Sequence, residues 1–186
     1  DRDIVPFPQR SGLDLVGIDN RLAGFLITNH LISLGCKRID FLARPGSAPT
    51  VSLRISGYRE ALINSGVIPS NEWVHSGDPA DHNFIKGVIK DGATAIVCAN
   101  DLTAANLMKT LDALDYAVPQ KIRVAGFDDV RYAELLSPAL TTIHQPCTDI
   151  GTIAMQVMLE RIENPMLPPR DILVNPALII RKSCGA

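Results

Sequence analysis

Residues 124–146 read VAGFDDVRYAELLSPALTTIHQP. The stretch begins as an apolar strand and stops on two adjacent carboxylates, Asp128 and Asp129. It then returns through a short helical segment and a Ser-Pro stop to an extended TTIHQP. A short apolar run without strict alternation is what a parallel strand covered on both faces presents. Such a strand needs parallel neighbours and helices on either side, and the flanking sequence supplies them.

Upstream, TAIVCA at 94–99 reads as a strand and DLTAANLMKTLDALD at 101–115 as a helix. Asn100 or Asp101 is placed to cap that helix, and Leu107, Leu111 and Leu114 form part of its buried face. The alternation extends back through RIDFLA at 38–43, a helix at 52–66, EWVHSG at 72–77 and a helix at about 81–90. Before these come an irregular opening with Pro6, Pro8 and Gly12, a strand LDLVGID, and a helix at 20–35 with Leu22, Leu26 or Ile27, Leu31 and Leu34 at helical spacing and Gly35 as its stop. Downstream follow a long helix at 149–164, a Pro-rich turn and a strand-pair region, DILVNPALIIRKS. Repeated βα units imply an α/β fold with a doubly wound parallel sheet. A late helix and a returning strand imply two lobes between which the chain crosses more than once.

The 186 residues are 46% hydrophobic and 20% charged, as in a globular protein with a real core. The net charge of −2 gives no basic footprint for nucleic acid. Cys36, Cys98, Cys147 and Cys184 are far apart and form no CxxC pair, so they read as reduced thiols of a cytosolic chain. No apolar run is long enough to span a membrane. The start on Asp1, without an initiator Met, reads as the beginning of a fragment.

In open parallel sheets ligands bind beyond the carboxyl ends of the strands. Asn100 with Asp101 and Asp128 with Asp129 stand at two such ends. Capping is the reading for Asp101 and Asp129; Asn100 and Asp128 read equally as caps or as ligand groups. Arg54 lies four residues after Thr50, so its forked donors and the Thr50 hydroxyl can share a helix face. A solvated or salt-bridged arginine is the alternative. His30 reads as structural, and His75 and His82 as exposed. HExxH, GxSxG, Walker and zinc-ligand spacings are all missing, which argues against an enzyme.

The run from GVIKDGATAIVCANDL through VPQKIRVAGFDD to SPALTTIHQP resembles the effector-binding core of LacI/GalR-family transcription regulators. The likeness extends from about Val16 to Ser183. It implies a two-lobed periplasmic-binding-protein-like fold with residues 1–35 and 145–165 in an incomplete amino-terminal lobe and residues 36–144 and 166–186 in the carboxyl-terminal lobe. It also implies a DNA-binding headpiece before Asp1, an operator DNA partner, a homodimer with the surface around Leu102 to Met108 as a candidate interface, and no cofactor. Carried over, Arg54, Thr50, Asn100, Asp128 and the crossover residue Gln145 are the effector-site candidates, while Asp129 serves the local turn. Two departures stand out: Pro79 occupies the position of a stacking aromatic, and Leu22 that of a cleft-facing acid. An exported sugar-binding protein and a small-molecule enzyme on the same sheet are the rival readings.

Overall fold

The computed structural model describes residues 11–186; the expected irregularity at Pro6 and Pro8 lies outside them. Among these residues, eight strands and five α-helices follow in chain order: β1 (Leu15–Ile18), α1 (Asn20–Ser33), β2 (Ile39–Ala43), α2 (Thr50–Asn64), β3 (Val74–Ser76), α3 (His82–Lys90), β4 (Ala95–Cys98), α4 (Asp101–Ala113), β5 (Arg123–Asp128), β6 (Thr141–His144), α5 (Cys147–Glu163), β7 (Asp171–Val174) and β8 (Ala177–Ile179). The short helical segment after Asp129 is a 3-10 turn, Arg131–Leu135.

The larger sheet has the order β3-β2-β4-β5-β6-β8. Its first five strands pair in parallel, and β8 runs antiparallel to β6. Because successive side chains point to opposite faces, the strands supply two cores. Phe41, Val97, Ala125, Phe127 and Ile143 meet α1 and α2 on one face. Leu42, Ile96, Cys98, Val124 and Leu140 meet α3 and α4 on the other. Each fully buried Leu, Ile or Phe contributes about 1.5–3 kcal/mol, so double coverage accounts for the almost continuous apolar strands.

The lobe boundaries differ from those expected. Ile27 and Leu31 of α1 are buried in the core of the larger sheet, beside Phe41 and Tyr58 of the carboxyl-terminal unit. The crossing into that unit therefore falls at Asp19, which caps α1 by accepting from Leu22 N, and not at Gly35. The strand-pair region splits as well. β7 pairs in parallel with β1 in a two-stranded sheet, and β8 joins the larger sheet. Asn175 and Pro176 mark a passage between sheets.

α1 and α2 cross in close contact because both carry glycine at the crossing. A Cβ on Gly24 would overlap the Arg54 carbonyl, and one on Gly57 the Arg21 carbonyl and Phe25 N. This approach brings the first turn of α1 alongside the first turns of α2.

Candidate functional site

The larger sheet has its switch point at β2, since the chain passes from β2 outward to β3 and then back to β4 on the other side. The polar cluster forms beyond the carboxyl ends of β4, β5 and β6, where such a switch opens a crevice.

Arg54 is at its centre, 5% exposed. Its Nε donates to Asn20 Oδ1 at 2.8 Å and its Nη1 to the Ala99 carbonyl at 2.6 Å. Nη2 reaches Asp128 Oδ1 at 3.5 Å. The guanidinium also lies 4.6 Å from the centre of the Phe127 ring, whose negative face favours a cation. Burial pushes the Arg54 pKa down, and the Asp128 charge opposes that shift. The solvated-arginine alternative does not hold.

Asp128 ends β5 with φ 109°, and Asp129 follows with φ 52°. On an extended chain neighbouring side chains diverge by the pleat; here the two left-handed residues turn the backbone, and the carboxylates acquire separate partners. Asp128 Oδ1 accepts from Arg54 and, at 2.5 Å, from Gln145 Nε2. Its Oδ2 has no protein donor among the described residues. Burial raises the Asp128 pKa, against the pull of Arg54 and Gln145. Asp129 instead binds Arg181 Nη2 at 2.7 Å and His144 Nδ1 at 2.9 Å, which ties the turn to β6 and the carboxyl-terminal segment.

The five candidates thus fare differently in space. Arg54, Asp128 and Gln145 are joined directly. Asn100 is the cap of α4, its Oδ1 accepting from both Thr103 N and Thr103 Oγ1 at 2.8 Å; the Nδ2 side of the same amide keeps no protein acceptor among the described residues. Thr50 opens α2 one turn before Arg54, half-buried, and hydrogen-bonds to none of the other four. Asp101 is not the cap, and its carboxylate turns inward. Asn20 escaped the sequence reading, although it follows the end of β1 just as Asn100 follows the end of β4. His30 approaches Cys184 Sγ at 3.4 Å. His75, expected to be exposed, is paired instead with the buried Asp40 at 2.7 Å. Pro79 is buried, its carbonyl accepting from Thr110.

What the cluster offers is a fixed cation, a carboxylate with one open oxygen, and amides at its edge, which suits groups that both donate and accept hydrogen bonds. A groove of about 390 Å³ between β1 and α5 and another of about 400 Å³ beside Tyr116 both lie away from it. Among the described residues no group of histidine, cysteine and acidic side chains is arranged to hold a metal, and no helix is long and apolar enough to cross a membrane.

Two α/β sheets joined by repeated crossings, with a polar cluster at the strand ends, define a binding-protein-like domain. Residues 28–184 match the periplasmic binding protein-like domain family, and the chain belongs to it. Within that fold, the resemblance to the effector-binding part of LacI-family regulators holds. The HTH-type transcriptional repressor PurR of Photobacterium profundum is 32% identical over 181 residues, 95% of this chain and 54% of that protein. A transcriptional regulator CelR–cellobiose complex superposes with a TM-score of 0.82 at 27% identity, covering 94% of this chain and 55% of that one. The Escherichia coli transcriptional repressor ascG does so with a TM-score of 0.77 at 27% identity, over 89% and 62%. The chain spans about half the length of the curated relatives it matches.

Proposed function

We propose that this chain is the effector-binding core of a LacI-type transcription regulator, which takes a small molecule rich in hydroxyl or amine donors against Arg54, Asp128 and Gln145. The observation that carries the reading is the Asp128 carboxylate, one-third exposed, with no donor to Oδ2 among the described residues, while a buried guanidinium stands behind it. Donors on the ligand bind Oδ2, and acceptors bind the remaining guanidinium and amide hydrogens. Asn100 Nδ2 and the Thr50 hydroxyl extend the same surface. Gln145 lies at the passage from β6 to α5, so a ligand that competes for Asp128 also alters the link between the sheets. Operator DNA is engaged through a segment other than the net-acidic one described, in a cytoplasmic homodimer, and effector and operator affect one another reciprocally. Relatives named as repressors favour a binding role over catalysis.

A thermal-shift panel of pentoses, disaccharides including cellobiose, and purine bases tests the reading. Binding raises the melting temperature by mass action, and the hit persists unconverted after long incubation. Turnover of the hit contradicts the reading in favour of an enzyme, and stabilisation that survives Asp128→Ala contradicts the site.

A further inference from the structure

Asp101 is fully buried but spends neither oxygen on capping its own helix. Oδ1 accepts from Thr142 Oγ1 at 2.6 Å, and Oδ2 accepts from Val130 N at 3.0 Å. Thr142 Oγ1 in turn receives Asp129 N at 3.4 Å. Strand β5 leaves room for this carboxylate: a Cβ on Gly126 would fall against Asp101 Oδ1. The brace therefore surrounds two consecutive residues of positive φ, Asp128 at 109° and Asp129 at 52°; aspartate visits the region near 52° more readily than most residues, but 109° lies outside it and is costly unless the surroundings hold it.

We propose that Asp101 is a positioning residue of this site: by bridging α4 to Val130 and Thr142 it holds the Asp128–Asp129 turn in the conformation that aims Asp128 at Arg54 and Gln145. The inference rests on Asp128 as an effector ligand and adds a residue that touches no effector itself. A carboxylate alone accepts from both partners. An amide at this position accepts once and must donate on its other side, so Asp101→Asn keeps the shape and changes the brace.

Burial pushes the Asp101 pKa up to about 6, helped by the charges of Asp128 and Asp129 and opposed by the hydrogen bonds from Thr142 and Val130. Arg54, Cys98 and Tyr132 also feel its charge. A proton on Oδ1 turns that oxygen from an acceptor into a donor towards Thr142 Oγ1, while Oδ2 still accepts from Val130 N, so the brace is rearranged as pH falls through this value.

The test is an NMR titration of the ligand-free chain. In the wild type, the Gln145 side-chain amide, bonded to Asp128, shifts with the same midpoint as the Asp101 carboxyl carbon. His144, which pairs with Asp129, is followed separately through its ring signals. In Asp101→Asn that midpoint disappears from Gln145, and the Val130 amide exchanges at least about tenfold faster, as expected for one lost net hydrogen bond. An unchanged Gln145 titration together with Val130 exchange at the wild-type rate overturns the proposal. Should Asp101→Asn fail to fold, Thr142→Val removes the hydroxyl strut alone and must produce the same loosening at Val130; wild-type exchange there is equally fatal. Both readings are made without ligand, so a failed search for effectors leaves this proposal standing, and its failure leaves the binding test intact.

Discussion

Arg54 Nη2 stops 3.5 Å from Asp128 Oδ1, while Gln145 Nε2 closes to 2.5 Å on the same oxygen. Guanidinium–carboxylate pairs are frequently shorter and forked. Here Asn20 and the Ala99 carbonyl hold the guanidinium back, which leaves capacity on both charges.

Removing Arg54 strands those partners. Arg54→Ala leaves Asn20 Oδ1 and the Ala99 carbonyl without their arginine donor and Asp128 with Gln145 alone. Since a third of the Asp128 side chain is exposed, the expected loss is about 2–3 kcal/mol, below the cost of breaking a fully buried pair. Urea denaturation measures it, and Arg54→Lys recovers only part because an ammonium cannot replace the fork.

The helix crossing makes a sharper distinction. Gly57→Ala forces a methyl into the α1 backbone and destabilises by about 1–3 kcal/mol or more. In α3, a methyl added at Gly87 would meet nothing within 4 Å, so Gly87→Ala stabilises by roughly 0.5–1 kcal/mol. Paired chemical denaturation curves of opposite sign check both.

Asp101 sets a pH dependence. Its folded pKa of about 6 lies above its ordinary value of 3.8, so its contribution is fully present below pH 3.8 and is lost as pH rises through about 6. The difference in unfolding free energy between wild type and Asp101→Asn should shift by up to roughly 3 kcal/mol across that window, in favour of the variant at the high end. A flat difference from pH 4 to 7 contradicts the assignment.

Asp14 behaves oppositely in the smaller sheet. The Arg161 guanidinium beside it, with Arg170, holds its pKa at about 2, well under its ordinary 3.8. Its stabilising effect is therefore present above 3.8 and lost as pH falls towards 2. Amides of β1 and β7 should lose exchange protection in that acid range, and Asp14→Asn should weaken this pH response.

Strand and helix order was legible because apolar runs of strand length alternate with helical periods and the turns carry glycine, proline or asparagine. Strand partnership was not. Periodicity marks an apolar face on α1 without saying which sheet covers it, and Asn175-Pro176 has the same composition whether it closes a hairpin or carries the chain between sheets. At the site, the strand-end rule reached Asn100 and Asp128. Applied to the end of β1, it also reaches Asn20, whose signal was present. The division of labour between Asn100 and Asp101 was illegible, since either can cap, and the donors that hold the Asp101 carboxylate inward, Thr142 and Val130, with the room left at Gly126, come from distant parts of the chain.

The most direct measurement is a calorimetric titration of the strongest hit from the ligand panel into the wild-type chain and into Asp128→Ala, with the fold of the variant confirmed by circular dichroism. Saturable 1:1 binding by the wild type, weakened about ten- to a hundredfold in the variant by loss of a charged hydrogen-bond acceptor, is the predicted result. Equal affinity in the two proteins contradicts the account.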